Sequence, residues 1–449
     1  MNEKDLTKGS VFRTVIMFSL PFLLANIVQA LYGAVDLMVV GMYCSADSVS
    51  AVSTGTQVTQ IITSIISGLS LGGTVLVGKY KGMKKYDDIK SIIATNLTIF
   101  FVLALVLTGL MILFSENILF SLKTPKEAFS QAKDYVLICS FGIIFICGYN
   151  GISAILRGYG NSKSPLVFVC IAGFINVLCD VLFVKYFSMG VKGTAIATVF
   201  SQAISMIFAI IYLEKKDFIF KFRLSNFIVH RDKIKELLFI SIPVSFQEII
   251  IRISFLYLTA VTNNLGISAS SAVGIASKYD VFAMLPATSV ASALSAIVSQ
   301  NYGAGKYKRM TKALFVGIAF ALPFSMIFFL WAQFSPESMI SVFSKDSSII
   351  SAGVPFFKMC SFDYIFVVFL FSMNGYLNGR MKTVFTMLSS CFGAIFLRIP
   401  IIYYVCDKFP NSLKVVGMVA PFVSFVMVIY TFLYVLYLYR KDNKKTTVF

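Results

Sequence analysis

Long apolar runs separated by short polar clusters occupy the chain from one end to the other. Residues 99–114 and 415–439 are nearly uninterrupted examples, without the polar–apolar alternation of a transmembrane β-barrel strand. A helix needs about 20 apolar residues to cross a bilayer, and runs of this length supply them. The pattern predicts twelve spans, at residues 14–40, 51–78, 91–114, 134–156, 165–186, 193–213, 236–262, 271–299, 313–334, 351–375, 384–406 and 415–438. The largest hydrophilic stretch, 214–235, links six spans to six. It divides the chain into a six-helix lobe over 1–213 and a second over 236–449 that ends in a short basic tail.

Composition narrows the picture further. The 449 residues are 57% apolar and 13% charged, about half the charged share of a soluble domain, with mean hydropathy +0.82. A polytopic all-α membrane protein is the expected class. A net charge of +18 could suggest nucleic acid, but the basic residues sit in short clusters between apolar runs. Segments on the side of the N-terminus hold 27 Lys and Arg, and those on the opposite side hold eight. Basic residues favour the cytoplasmic face, so both termini are expected there, in the cell membrane, with no nucleic-acid partner. Eight scattered Cys without a CxxC and a single His230 offer neither a disulfide frame nor a metal site. No nucleophile–base set suggests a membrane enzyme, and no loop is large enough for a receptor's sensing domain. The first apolar run continues into a full span, so no cleaved signal peptide is expected.

The two halves repeat each other weakly. Ser19-Leu-Pro-Phe and Ser241-Ile-Pro-Val each open a span, 222 residues apart. Tyr80-Lys-Gly-Met-Lys and Tyr302-Gly-Ala-Gly-Lys follow spans two and eight at the same offset, and Leu156-Arg-Gly and Leu377-Asn-Gly close spans four and ten. An even number of spans per half gives both halves the same orientation, a parallel pseudo-two-fold repeat of the kind transporters use for alternating access.

A carboxylate within a span costs a few kcal/mol on insertion scales, so each one needs a pairing or functional explanation. Asp36 and Asp180 lie near the outer ends of spans one and five, at similar depth. Asn176 precedes Asp180 by four residues and shares its helix face, and Thr198 in span six can reach the same layer. Two acids, an amide and a hydroxyl form a hard-oxygen cluster suited to a proton, Na⁺ or a cationic substrate. In the second half, Glu248 and Arg252 are four apart and are expected to pair. Lys278 and Asp280 open span eight, Asp363 lies in span ten, and Arg398 precedes Pro400, where it is expected to satisfy carbonyls that the proline frees. The other role open to Arg398 is in a substrate cavity.

Gln29-Ala-Leu-Tyr with Val35-Asp-Leu-Met-Val-Val-Gly, Leu156-Arg-Gly-Tyr-Gly-Asn-Ser-Lys, Asn176-Val-Leu-Cys-Asp with Gly190-Val-Lys-Gly-Thr-Ala-Ile-Ala-Thr, Gln300-Asn-Tyr-Gly-Ala-Gly and Arg398-Ile-Pro occur in the order seen in the multidrug and toxic compound extrusion (MATE) family. The chain resembles that family, in its DinF-like branch, over about residues 13–438. The resemblance implies two six-helix bundles and a monomeric, ion-coupled antiporter, without cofactor, that exports cationic amphipathic compounds. It assigns ion coupling to Asp36, Asn176 and Asp180, with Thr198 nearby. Where the branch often carries Asn in span four, this chain has Ser153, with Asn150 one turn earlier; the span-seven acid, Glu248, is displaced by about a turn. Both departures weaken a complete sodium cage, so the proton is the expected coupling ion and Na⁺ at Asp36, Asn176 and Asp180 the alternative. A lipid-linked oligosaccharide flippase of the same superfamily is the rival reading; more spans and a basic cavity would be expected of it.

Overall fold

Residues 5–216, 218–222, 226–263, 265–409 and 412–446 are described by a computed structural model. Twelve helices among them are long and apolar enough to cross a membrane: span one Val11–Tyr43, two Ala46–Gly82, three Tyr86–Ser121, four Lys126–Gly158, five Lys163–Tyr186, six Gly190–Lys215, seven Arg231–Thr262, eight Ile267–Gly303, nine Tyr307–Phe334, ten Ser347–Gly379, eleven Thr383–Lys408 and twelve Leu413–Lys444. Every span expected from hydropathy lies inside one of them. The helices run further because polar residues at their ends continue the backbone hydrogen-bond ladder beyond the apolar stretch.

Tight helix caps join many of the spans. After span two, Lys84 donates its N–H to the Lys81 carbonyl and Lys85 to Tyr80; after span eight, Gly305 bonds Tyr302 and Lys306 bonds Asn301. The same paired bonds recur at Gly160–Asn161 and Met381–Lys382. This is the Schellman pattern, whose pivotal residue adopts positive φ. Gly160 (88°) and Gly305 (69°) tolerate that readily, whereas Lys84 (60°) and Met381 (61°) do so against a Cβ penalty.

The structure divides into two compact units. One contains residues 24–245, and the other residues 6–23 with 246–449. Spans one and seven therefore change unit part-way along, two residues beyond Pro21 and Pro243, which interrupt the helical hydrogen bonding. The change falls at the same repeat position in each half.

The starts of spans one and seven are tied down by local chemistry. In the first unit, Lys233 at the start of span seven pairs with Asp88 (2.6 Å) and donates to the Tyr80 hydroxyl (3.0 Å), which itself contacts Glu236 (3.1 Å). Further along, Gly68 and Gly72 of span two face Ser245 and Ser241, and the Ser245 hydroxyl donates to the Ile65 carbonyl (3.0 Å). In the second unit, Arg309 donates to the carbonyls of Leu6, Lys8 and Gly9, and Asn301 donates to Leu6. There Phe18 and Phe22 pack against a core containing Val290, Leu294 and Leu314.

Candidate ion and substrate site

Within the first unit, Asp36 is buried on span one, and Asn176 and Asp180 are buried on span five. The α-helical part of span five ends at Asp180, and the chain continues as a π-helical turn, Val181–Tyr186. Such turns widen the helix locally and recur at functional sites. Asp180, Asn176 and the Thr198 hydroxyl all converge on the Asp36 carboxyl. Thr198 donates its own proton to the Thr194 carbonyl (3.0 Å), leaving its oxygen lone pairs available to a ligand. One oxygen of Asp36, both of Asp180 and both polar atoms of Asn176 have no hydrogen-bond partner among the described residues. Leaving so many polar atoms unpaired is costly in a folded interior. Two adjacent carboxyls also cannot both be anionic without a proton or cation between them. A proton shared between the carboxyls, or a bound cation, would relieve both costs.

Glycines let bulky neighbours reach this layer. A Cβ on Gly173 of span five would lie 3.3 Å from the Tyr32 ring, and one on Gly55 would overlap Tyr135. Both tyrosines lie within electrostatic reach of Asp36, with Gln202 beside Tyr32 and Thr56 and Cys139 beside Tyr135. Sequence reasoning did not single them out, since two tyrosines among 21 in an apolar chain carry no distinguishing pattern. Tyr32 precedes Asp36 by one helical turn, and that spacing was the available signal.

Of the two span-four candidates, Asn150 is engaged on its own helix, and the Ser153 hydroxyl has no hydrogen-bond partner among the described residues. Asn150 donates to the Ile146 carbonyl of its own helix (2.8 Å), and Ser153 is fully buried beside Tyr149, whose hydroxyl donates to the Pro165 carbonyl (3.1 Å).

The second unit holds a different cluster. Asp280 of span eight, Asp363 of span ten and Arg398 of span eleven line a small cavity of about 30 Å³, about the room of one water, and Tyr364 of span ten neighbours Asp280. Asp280 lies beside the Tyr364 hydroxyl and Asp363 beside Ser424, and Arg398 is coupled electrostatically to both acids without an ion pair within 4.0 Å among the described residues. Its guanidinium also sits 4.7 Å from the Phe255 ring centre. Arg398 closes a π-helical turn, Phe392–Arg398, just before Pro400, and among the described residues it makes no hydrogen bond to the freed carbonyls. It turns towards the acids instead, which corrects the carbonyl-satisfying role expected from sequence. Asp280, treated there as a residue opening span eight, is a member of this cluster. Glu248 and Arg252 feel each other electrostatically but form no ion pair within 4.0 Å among the described residues, so the expected direct pair is absent.

Comparison with known proteins finds the MatE family profile twice along the chain, at residues 21–182 and 243–404. The probable multidrug resistance protein YpnP of Bacillus subtilis is 28% identical over 386 residues, 84% of either chain. The probable multidrug resistance protein NorM of Thermotoga maritima is 23% identical over 92% of this chain and 89% of its own. Among solved structures, a multidrug resistance MATE family transporter of the MOP superfamily in an outward-facing conformation superposes with a TM-score of 0.91, at 19% identity, covering 98% of this chain and 99% of that one.

Proposed function

The chain belongs to the MATE family of multi-pass membrane transporters, and from that premise we propose that it is a proton-coupled antiporter exporting cationic amphipathic compounds. The observation that carries this reading is the convergence of Asp36, Asn176, Asp180 and Thr198 with unpaired oxygens inside a membrane-spanning bundle. Protons and an organic cation compete there for the same carboxylate charge. Proton entry from outside neutralises the acids and releases the cation, and proton loss to the cytoplasm restores the site. Coupling arises because each ligand binds the inward- and outward-open forms with different affinity.

The second unit supports placing ion exchange in the first. Its acids already face a fixed cation, Arg398, whereas the groups converging on Asp36 are an acid, an amide and a hydroxyl. Excess basic residues on the side of the termini support a cytoplasmic location for both ends. The names of YpnP and NorM as probable multidrug resistance proteins support drug export, and the acidic cluster supports cations among the drugs.

The test is drug efflux from sodium-free proteoliposomes driven by a pH gradient alone. Efflux under those conditions, lost in Asp180→Asn, supports proton coupling. Efflux appearing only with a Na⁺ gradient at constant pH assigns the coupling to sodium instead.

A further inference from the structure

Span nine begins with a stripe of residues at helical spacing: Lys308, Lys312, Phe315 and Ala319. All four are exposed, and all four line one groove of about 590 Å³, with Phe12 of span one and Tyr439 of span twelve also on its wall. Neither lysine makes an ion pair or hydrogen bond among the described residues. Lys308 to Ala319 covers about 16 Å along the helix at 1.5 Å per residue, long enough for a lipid headgroup at the span's end and part of an acyl chain beyond it. The groove is thus cationic at its surface end and apolar below.

A second groove, of about 390 Å³, occurs at the matching place in the other half. Lys90 and Ala94 of span three line it, and they precede Lys312 and Val316 of the first groove by 222 residues, the repeat offset of Ser19 and Ser241. Its other wall is the linker before span seven, with Lys221 and His230 as polar groups and Phe220 and Ile228 as apolar ones. Asp87 pairs with Lys90 (3.3 Å) and offsets part of its charge, so the span-nine groove is the stronger cationic site.

We propose that the span-nine groove binds an anionic phospholipid, with the phosphate against Lys308 and Lys312 and an acyl chain along Phe315 and Ala319, and that the span-three groove is its weaker counterpart. Unpaired lysines above an apolar channel complement a headgroup joined to a hydrocarbon tail. A free anion would use only the upper part, and a neutral lipid only the lower. The leaflet is the one on the side of the termini, cytoplasmic in the orientation proposed above. The inference stands independently of which ion or compound the protein transports.

Native mass spectrometry of the purified, delipidated full chain tests it, with phosphatidylglycerol, phosphatidylcholine and inorganic phosphate as separate probes. Phosphatidylglycerol is expected to be retained in preference to phosphatidylcholine. A basic residue near an anionic surface contributes about fivefold in affinity, so K308Q should weaken the tightest phosphatidylglycerol site about fivefold and K308Q/K312Q about twenty-five-fold. A319W, which keeps both charges but fills the channel, should weaken it as well. An unchanged melting midpoint in phosphatidylcholine alone shows that each variant is folded. Equal retention of both lipids, unaltered phosphatidylglycerol binding in K308Q/K312Q, or an unaffected A319W overturns the proposal. Displacement of the lipid by millimolar inorganic phosphate also overturns it, in favour of a free-anion site.

Discussion

Replacing Gly68 with Ala tests how span two holds the segment of span seven that belongs to the first unit. The new Cβ would lie 2.5 Å from the Ser245 nitrogen and 2.6 Å from its Cα, and would overlap the hydroxyl too. Backbone atoms cannot rotate aside, so the two helices must separate. Overpacking of this kind costs about 1–3 kcal/mol, and about 1 kcal/mol returns from the better helix propensity of Ala. The Ser245 hydroxyl's bond to Ile65 is strained as well, worth about 1 kcal/mol. A net loss of about 1–3 kcal/mol is expected. Gly72 offers a matched control. Its Cβ would overlap the Ser241 hydroxyl but lie 3.0 Å from that residue's Cβ and 3.3 Å from its Cα, so the obstacle is mostly side chain.

The two positions should therefore respond differently to a second mutation. Ser241→Gly should recover most of the loss in Gly72→Ala, whereas Ser245→Gly should leave Gly68→Ala destabilised because the backbone obstacle persists. Buried Cys139, Cys147, Cys179 and Cys360 make a thiol-reactive dye a suitable reporter of unfolding in detergent. For a unit of this size each kcal/mol moves the midpoint on the order of 2–4 °C. Full rescue of Gly68→Ala by Ser245→Gly, or a Gly68→Ala midpoint equal to that of the parent, would refute the close-contact argument.

Neutralising Asp36 or Asp180 to Asn should abolish gradient-driven efflux while leaving the melting midpoint unchanged or higher, since a desolvated charge is removed; loss of folding along with efflux would make the acids structural. A Cys introduced at Lys84 or Lys221 should resist a membrane-impermeant thiol reagent on intact cells, and one at Thr124 or Ser335 should react; the reverse pattern would invert the orientation. Arg380 pairs with Asp442 at 2.9 Å in a buried contact, so Arg380→Ala should cost about 3 kcal/mol, and Arg380→Ala/Asp442→Asn should cost less than the single variant in the same melting assay. Met381→Gly should stabilise by about 1 kcal/mol because it relieves a positive-φ cap; no gain would mean that side-chain packing outweighs the backbone.

Much of the fold was legible because lipid leaves a strong imprint on sequence. A helix in hydrocarbon must be apolar along its length, so each predicted span lies within a helix although the ends differ. Asp36 and Asp180 stood out for the same reason, as carboxyls among apolar neighbours. Partnership was harder to read. Asn176 and Asp180 share a helix face by spacing alone, but Asp280, Asp363 and Arg398 lie on three different spans, and only tertiary packing brings them together. Glu248 and Arg252 show the converse: favourable spacing places two residues on one face without bringing their charged ends together. The crossing of spans one and seven between units was hidden as well, because prolines mark a weak point in a helix but not what lies on either side of it.

The repeat keeps one backbone plan and fills it with two chemistries, and the difference leads to a sharp expectation for Arg398. Among the described residues, the groups converging on Asp36 in the first unit are an acid, an amide and a hydroxyl, whereas in the second Arg398 is a cation coupled electrostatically to Asp280 and Asp363. Removing it in Arg398→Gln leaves two acids around the 30 Å³ cavity with only a proton or a small cation to neutralise them. The variant should lose stability, because the buried acids lose the cation coupled to them. Asp363→Asn added to it should restore most of that loss, since one unpaired charge disappears. The single variant should also gain more stability than the parent with added Na⁺ or on acidification. Melting midpoints of the parent, both single variants and the double variant, across sodium concentration and pH, separate these outcomes. If Arg398→Gln/Asp363→Asn melts no higher than Arg398→Gln, Arg398 is held by its packing on Phe255 rather than by the acids, and the electrostatic contrast between the units fails.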